Sequence, residues 1–392
     1  MQQAAYKIIS YRPEYRGQIV EVQKHLWGPD LEQNAAYLDW KHLRNPYLSE
    51  PLIYLALHGE RVVGMRSFIG AKWEFGSPRQ TVVMPLASDM VIAPEYRNRG
   101  LFPLIMKAAL KDLAEKGYTY VVNLGAAPVT LLGQLTMGWR GVGSLQPMEC
   151  TVARRVSLPH ARAFLRKSRL AVSVYRRLRG KIPILPRESR QNHFDILDSI
   201  SDQHDHPLGP HVLIEKSPRT GEMVEFAGRL DLDRRIRHVR DEGYYGWRFQ
   251  NPRSQYRFLF WCNSKMEGYV VLQATASPST EPICIVDWQA TSDQVRAELL
   301  ESVLRLASDR TLLTWAGTLA ESERRILETA GFRQVDQAGT VNSAVAAVRP
   351  VREEMLNQEW LLGDQRLLDI RNWDFRMMHS RYSLRRSVGT RE

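Results

Sequence analysis

Apolar residues recur along the chain with two different periods, and this alternation predicts a mixed α/β protein. Strand-like apolar runs cover residues 6–11, 81–92, 119–124, 282–289 and 311–315. Helical spacing marks residues 101–116, 128–137, 292–308 and 319–330. Each half of the chain therefore has the order strand, helix, strand, helix, which predicts a pair of parallel strands in each half.

A short motif occurs once in each half. Residues 37–46 and residues 244–252 both contain Tyr, then Trp three positions later, then a basic residue, and end in Asn-Pro. Each copy is followed by two β-rich runs joined by a turn, as in a hairpin. The shared hairpin favours a duplication over a chance match. We interpret Trp40 and Trp247 as core and turn residues rather than ligand contacts.

The length and the position of the charge divide the chain into three parts. A chain of 392 residues exceeds the size of one ordinary domain. We predict a first domain over 1–155, a basic linker over 156–190 and a second domain over 191–392. Residues 154–190 contain twelve Lys and Arg against one Glu, which equals the net charge of +11 for the whole chain. The rest of the chain, outside residues 154–190, is therefore neutral.

This concentration of charge argues against a specific nucleic-acid binder, whose basic residues are usually spread over a folded face. Residues 159–180 have apolar positions at helical spacing opposite a basic face. Two interpretations stay open. The favoured one is a helix that packs between the domains with its basic side chains in water. In the other, the helix lies on an anionic membrane surface at the inner face of the membrane.

The remaining features indicate a cytoplasmic protein without a metal site. The chain has neither a secretory signal pattern nor an apolar run long enough to span a bilayer. Its three cysteines are far apart and form no metal-binding pattern. The histidines at 193, 204, 206 and 211 suggest a polar loop more than a zinc site, because structural zinc usually recruits Cys or a tighter His set.

Residues 89–102 carry the most specific chemistry. A strand ends at Ala93-Pro94, a short loop follows, and an amphipathic helix begins directly after Gly100. Free amide groups at a helix start attract anions, and glycine lets the backbone approach them closely. Arg97 and Arg99 add positive charge. The segment therefore predicts a phosphate or pyrophosphate site.

The run VIAPEYRNRGLF resembles the acyl-CoA loop of the GNAT acyltransferase superfamily, which carries Arg/Gln-x-x-Gly-x-Gly/Ala. Arg97 and Gly100 match this motif. Phe102 stands where the family usually has Gly or Ala, so its ring either crowds the cofactor or repacks the helix. The resemblance covers about residues 6–155, with a weaker echo over 194–383. It implies an α/β fold of two tandem GNAT-like domains, each a mostly antiparallel mixed sheet flanked by helices.

The resemblance also implies a reaction. An amine attacks the thioester of acetyl-CoA, or of another acyl-CoA, without a covalent enzyme intermediate. Asp89 is the candidate general base; the alternative is a hydrogen-bonded strand-end carboxylate. Gln134 stands where the family often has a Tyr acid, so either the thiolate leaves unassisted or another group, such as Tyr120 or Thr136, helps. The implied cofactor-binding residues are Met90, Val91, Ile92, Arg97, Asn98, Arg99, Gly100, Leu101, Phe102 and Asn123.

We therefore expect an N-acyltransferase that acts on a small-molecule amine. The tandem halves with Arg-Gly-Leu-Phe are similar to GNAT proteins of bacterial surface-polysaccharide clusters, which implies an amino sugar as acceptor. The equivalent segment of the second half, residues 287–296, lacks glycine and so forms a wall of the acceptor cleft or completes the fold. Two alternatives stay open: a Fem-like aminoacyl or peptidyl transferase, and a non-catalytic module that binds a membrane or a partner.

Overall fold

The computed structural model describes residues 6–126, 128–152, 208–230, 233–275, 282–307, 310–335 and 344–380. The predicted basic helix at 159–180 lies outside these residues, as do His193, His204 and His206. The expectations for that helix and that loop therefore stay predictions. Within the described ranges, no helix combines the length and the apolar character needed to cross a membrane.

Helices and strands alternate along both halves. The described helices are α1 (Arg16–Trp27), α2 (Leu31–Leu38), α3 (Leu101–Glu115), α4 (Pro128–Leu135), α5 (Thr220–Arg229), α6 (Glu242–Arg248), α7 (Asp293–Leu306) and α8 (Glu321–Thr329). The first-half strands are β1 (Lys7–Ser10), β2 (Leu52–His58), β3 (Arg61–Ile69), β4 (Lys72–Phe75), β5 (Gln80–Val83), β6 (Leu86–Ile92), β7 (Tyr120–Leu124), β8 (Arg140–Ser144) and β9 (Pro147–Thr151). The second-half strands are β10 (Val212–Glu215), β11 (Ile236–His238), β12 (Ser254–Cys262), β13 (Met266–Thr275), β14 (Ile283–Ala290), β15 (Thr311–Trp315), β16 (Arg333–Gln334), β17 (Val345–Pro350), β18 (Leu361–Leu362), β19 (Gln365–Arg366) and β20 (Trp373–Asp374).

The elements predicted from periodicity appear with their ends within two residues of the predicted ones, apart from one strand. The predicted strand 81–92 is two strands, β5 and β6, with Met84 and Pro85 between them. Pro85 has no N–H to donate to a ladder, so pairing is interrupted there. The two strands then join different sheets, since β5 pairs with β4 and β6 pairs with β3.

Two seven-stranded sheets form the frame, and each contains a strand from the other half. The first has the order β1-β2-β3-β6-β7-β17-β8 and the second the order β10-β12-β13-β14-β15-β9-β16. Strand β17 of the second half thus lies between β7 and β8, and β9 of the first half lies between β15 and β16. The predicted α/β architecture of mixed sheets flanked by helices is confirmed. The exchange of strands was not predicted.

A third sheet and a shared core join the halves further. The order β20-β11-β4-β5 combines a first-half hairpin with two second-half strands. One hydrophobic cluster runs from Trp73 and Val122 in the first half to Phe258 and Met378 in the second. Because burial of this apolar surface drives folding, we expect neither half to fold as a separate unit.

The duplicated motif meets its own copy at the junction. The rings of Trp40 and Trp247 stack with their centroids 5.0 Å apart and their planes 9° from parallel. Each Nε1 donates a hydrogen bond to the backbone carbonyl of the other residue, at 2.7 Å in both directions. Asn45 and Asn251 also make matching turns, since each Oδ1 accepts from the N–H two residues further on at 3.0 Å. The contact is therefore close to two-fold symmetric.

The strand exchange predicts that residues 1–155 alone will not fold. Without β17, strand β7 loses its five residue pairs with that neighbour and exposes a fully buried edge. We expect this fragment to aggregate or to melt without a cooperative transition in circular dichroism. Residues 344–351 appended through a flexible linker should partly restore the transition. A monomeric 1–155 fragment with a cooperative melt would contradict the exchange.

The reciprocal hydrogen bonds predict coupled effects on stability. Trp247→Phe keeps a stacking ring but removes the donor to the Trp40 carbonyl, which should lower the free energy of unfolding by about 1–3 kcal/mol. Trp40→Phe should have a similar effect. In the double variant, urea titrations should give a loss that differs clearly from the sum of the single losses. Strict additivity would show that the two bonds do not form one unit.

Candidate active site

Helix α3 begins at an open turn. Gly100 precedes the helix with a left-handed φ of 74°, and Asn98 has a φ of 60°. No side chain caps the helix start, and a Cβ added at Gly100 would meet no atom within 4 Å. The amides of Leu101 and Phe102, at the first two positions of the helix, therefore lack a side-chain acceptor, while Pro103 at the third has no N–H. Such a start attracts anions.

The two arginines of the loop are exposed and held locally. Nε of Arg97 donates to the carbonyl of Ile92 at 3.2 Å, at the end of β6. The guanidinium of Arg99 lies 5.2 Å from the ring centroid of Tyr96. Neither arginine forms an ion pair with a carboxylate in the described part of the chain. Both charges are therefore available to a negatively charged ligand near the turn.

Phe102 packs against α4. A Cβ built on Gly133 would lie 3.0 Å from the ring of Phe102, so the glycine makes room for that ring. This contact supports the second of the two alternatives, in which the bulky residue repacks the helices. The glycine at position 133 could have indicated this packing from the sequence, because glycine is unfavourable inside a helix unless a neighbouring side chain needs the space.

Strands β6 and β7 diverge next to this turn. Their parallel pairing is confined to Leu86 and Val122 at one end, and they separate beyond it. Met90 on β6 and Asn123 on β7 line the same cavity of about 330 Å³. A wedge between two strands exposes backbone groups that a ladder would otherwise satisfy. The predicted residues Met90 and Asn123 are thus brought together.

The cavity lies between the two halves. Its first-half wall includes Trp27, Tyr37, Trp40, Lys41, Arg66 and Ser88. Its second-half wall includes His238, Tyr244, Trp247, Arg248, His379 and Ser380. No Asp or Glu of the described residues lines it. Aromatic faces and basic groups therefore set its character.

Asp89 is buried beneath the cavity wall. Its carboxylate accepts from Nζ of Lys41 at 2.7 Å and from Nε2 of Gln23 at 3.1 Å, with Nε2 of His42 at 3.8 Å. Asp89 and Lys41 are both fully buried, and of the two only Lys41 lines the cavity. The role of Asp89 as general base stays a prediction, but its geometry matches the alternative of a hydrogen-bonded strand carboxylate.

The remaining predicted residues are spread over several environments. The side chains of Val91 and Leu101 are buried in hydrophobic clusters, and Ile92 packs against one of them. Gln134 is buried and accepts from Nδ2 of Asn123 at 2.8 Å, so it positions a cavity residue. The two substitutes for the acid, Tyr120 in the core and Thr136 bonded to the Gly133 carbonyl, do not line the cavity.

Two stacked histidines line the second-half wall. The rings of His238 and His379 lie 4.7 Å apart. Nδ1 of His238 donates to the carbonyl of Val239 at 2.9 Å, which leaves Nε2 with a lone pair in the neutral ring. Nδ1 of His379 accepts from the N–H of Arg376 at 3.3 Å, so its Nε2 carries the proton. The two rings thus offer one acceptor and one donor.

Burial keeps both rings neutral. Burial lowers the pKa of His238 from its ordinary value to about 4, and the nearby cations Arg240 and Arg248 act in the same direction. Burial and the neighbouring His238 lower the pKa of His379 well below its usual range. At neutral pH, the lone pair of His238 is therefore not blocked by a proton.

The corresponding helix start in the second half is closed. Oγ of Ser292 accepts from the N–H of Val295 at 3.2 Å and caps α7. Arg296 contacts Asp293 at 2.7 Å across the first turn. Side chains of the chain itself thus satisfy this helix start, in contrast to the uncapped start of α3.

Several cavity residues were missed in the sequence, although the repeat contained a signal for two of them. Lys41 and Arg248 are the basic residues that follow the two tryptophans of the motif, and the symmetric contact brings both to the cavity. The interpretation of Trp40 and Trp247 as core residues overlooked that they also line it. His238 and His379 belong to no motif, so only the fold could reveal them.

Comparison with known proteins identifies a family for the first part of the chain. A family model described as an acetyltransferase (GNAT) domain matches residues 7–139. The amino-terminal domain is a GNAT domain. The match contains β6, the open turn and α3, and ends after α4. A search of curated proteins found no match to the chain.

Solved structures show that the fold likeness extends beyond the GNAT domain. A GCN5-related N-acetyltransferase from Anabaena variabilis is 15% identical, with 89% of this chain and 73% of that one covered and a TM-score of 0.56. A probable N-acyltransferase from Enterococcus faecalis is 13% identical, with 91% and 75% covered and a TM-score of 0.55. A tandem GNAT protein from the clavulanic acid biosynthesis pathway is 11% identical, with 89% and 99% covered and a TM-score of 0.51. At these identities the likeness concerns the fold alone.

The lowered histidine pKa predicts a loss of stability in mild acid. Between about pH 6.5 and pH 4 the unfolded chain protonates His238 and the folded chain does not, so the free energy of unfolding should fall as the pH falls. A shift of this size corresponds to about 3 kcal/mol. Urea titrations across this range should show the slope, and His238→Gln should reduce it. His25→Gln, at an exposed position of α1, should leave it unchanged.

Proposed function

We propose that the protein is an acyl-CoA-dependent N-acyltransferase that modifies a small-molecule amine held between its two halves. One observation carries this proposal: β6, which leads to the uncapped start of α3, diverges from β7 at a cavity that both halves line, although residues 97–102 themselves do not line it. The turn suits the diphosphate of coenzyme A. The wedge suits its extended arm, and the cavity then receives the acyl group and the acceptor.

The acceptor nitrogen attacks the thioester carbonyl, the bond from carbon to sulfur breaks, and coenzyme A leaves as a thiolate. Backbone N–H groups of β6 near Met90 would polarise the carbonyl oxygen as negative charge develops there. Holding both reactants in one cavity supplies much of the rate gain, because it replaces a bimolecular encounter. Acetyl-CoA is the donor we expect first, and a longer acyl-CoA is the alternative.

We propose His238 as the group that takes the proton of the amine. Its Nε2 has a lone pair, its ring lines the cavity, and its Nδ1 is fixed by the Val239 carbonyl. Asp89 is less suited, because its carboxylate is engaged by Lys41 beneath the wall. In this arrangement Asp89 instead keeps Lys41 charged and in position.

The aromatic lining supports a ring-shaped acceptor, and an amino sugar fits this description. Trp27, Tyr37 and Trp40 line one wall and offer flat apolar faces on which a sugar ring can pack. We keep the amino sugar of a surface polysaccharide as the specific proposal. An aminoacyl or peptidyl transferase would not need the open helix start, and a non-catalytic module would not need the cavity between the halves.

The two loop arginines provide the test. In calorimetry, wild-type protein should bind acetyl-CoA, and the Arg97→Ala/Arg99→Ala double variant should bind it at least roughly tenfold more weakly, as expected for loss of about 1.4 kcal/mol of phosphate contact. Arg12→Ala removes an equally exposed arginine from the surface pair with Glu14 and should have no effect. Absence of heat with wild-type protein would favour one of the two alternative functions.

A further inference from the structure

We infer that the acceptor is an anionic amine and that Arg248, from the second half, binds its negative group. This inference rests on the proposed function, because it names the class of molecule that the cavity receives. The amine end would lie between β6 and His238, where the acyl group arrives. The anionic end would lie at Arg248.

Arg248 is a buried cation whose partners are all neutral. Its Nε donates to the carbonyl of Met378 at 2.7 Å, and its Nη1 donates to the hydroxyl of Tyr256. Its Nη2 donates to Oε1 of Gln273 at 3.0 Å and to the carbonyl of Ser380 at 3.3 Å. The side chain is 3% exposed. Buried charges are usually paired, because removing an ion from water costs several kcal/mol.

Two other buried arginines of the second half have counter-charges. Arg240 and Arg376 each pair with a buried aspartate, at 3.2 Å and 2.7 Å. Among the described residues, Arg248 has no carboxylate within ion-pairing distance, and Arg349 likewise bonds only to backbone carbonyls. Of these four arginines, only Arg248 lines the cavity, where a ligand can supply the counter-charge.

The other groups of the cavity do not supply the missing negative charge. The charge of Lys41 is already matched by Asp89. Arg66 adds a second guanidinium to the wall, and no described Asp or Glu lines it. His379 lines the same wall and contributes a ring Nε2–H without a protein acceptor in the described residues. A carboxylate or phosphate on the acceptor would satisfy the guanidinium and has this N–H nearby.

The position of Arg248 explains why the guanidinium is held rigidly. It follows Trp247, whose ring is fixed by the reciprocal contact with Trp40. The carbonyls of Met378 and Ser380 hold two edges of its planar group, which leaves fewer conformations to lose when a ligand binds. Four of its five N–H groups are used in these contacts, so the guanidinium can offer a carboxylate or a phosphate its positive charge and the remaining N–H of Nη1.

A matched set of amines tests the inference by activity. Release of free coenzyme A from acetyl-CoA is measured with glucosamine, glucosamine 6-phosphate and 2-amino-2-deoxyglucuronic acid. All three have the amine at C2 of the same ring, and at C6 they have a hydroxyl, a phosphate and a carboxylate respectively. We expect at least one anionic member to exceed the neutral one roughly tenfold in kcat/KM, and the better arm identifies the anion. Equal or higher kcat/KM for glucosamine would overturn the inference while leaving acyl transfer itself established.

Substitutions at Arg248 test whether this residue causes the preference for an anionic amine. Arg248→Met keeps the length of the side chain and should abolish the preference for the anionic amine, whereas Arg248→Lys should keep part of it. Arg257→Met is the matched control, because Arg257 is a buried arginine on the adjacent strand β12 that does not line the cavity. A preference that survives in a folded Arg248→Met protein would also overturn the inference.

A binding measurement keeps the test independent of catalysis. Inorganic phosphate is titrated into the Arg97→Ala/Arg99→Ala variant, in which the proposed coenzyme A site is weakened. The Tm in phosphate is compared with the Tm in sodium chloride at the same ionic strength. We expect phosphate to raise Tm, and a further Arg248→Met change to remove the rise. No rise in the double variant contradicts the inference, even if Arg248→Met fails to fold. Absence of acetyl-CoA binding in wild-type protein would instead count against the proposed function.

Discussion

The reciprocal contact between Trp40 and Trp247 is the constraint on which the arrangement of the two halves depends. Each ring donates a hydrogen bond to the backbone carbonyl of the other residue, so loss of either tryptophan breaks the contact between the halves at this point. Around this contact, β9 and β17 cross into the opposite sheets. The halves are therefore not two domains on a tether. They are one interleaved structure in which a shift of either half would break sheet pairing and the shared core together.

Duplication followed by divergence explains why a symmetric frame holds one asymmetric site. Both halves place a helix after a strand that separates from its parallel neighbour. In the first half, Gly100 leaves the start of α3 open; in the second, Ser292 closes the start of α7. The two helix starts therefore differ in whether a side chain caps them. The second half contributes His238, Arg248 and His379 to the cavity wall.

Local sequence patterns predicted the features that depend on neighbours in the chain. The turn at Gly100 and the helix α3 follow from short segments, and the resemblance of one such segment implied Met90 and Asn123, which line one cavity. Strand exchange could not be predicted, because any apolar run such as β17 can complete any sheet with a free edge. Asp89 was placed on the right strand, but its burial depends on Lys41 and Gln23 from another element. The histidines meet only through tertiary contacts.

The distribution of buried charge connects the fold to the chemistry. Asp89 matches Lys41, Asp287 matches Arg240 and Asp374 matches Arg376, and each pair lies within or between packed elements. Such pairs satisfy one another and need no ligand. Among the described residues, Arg248 departs from this pattern and lies at a cavity that both halves line. A charge that the fold buries and orients, yet leaves for another molecule to neutralise, is better understood as a binding group than as a structural one.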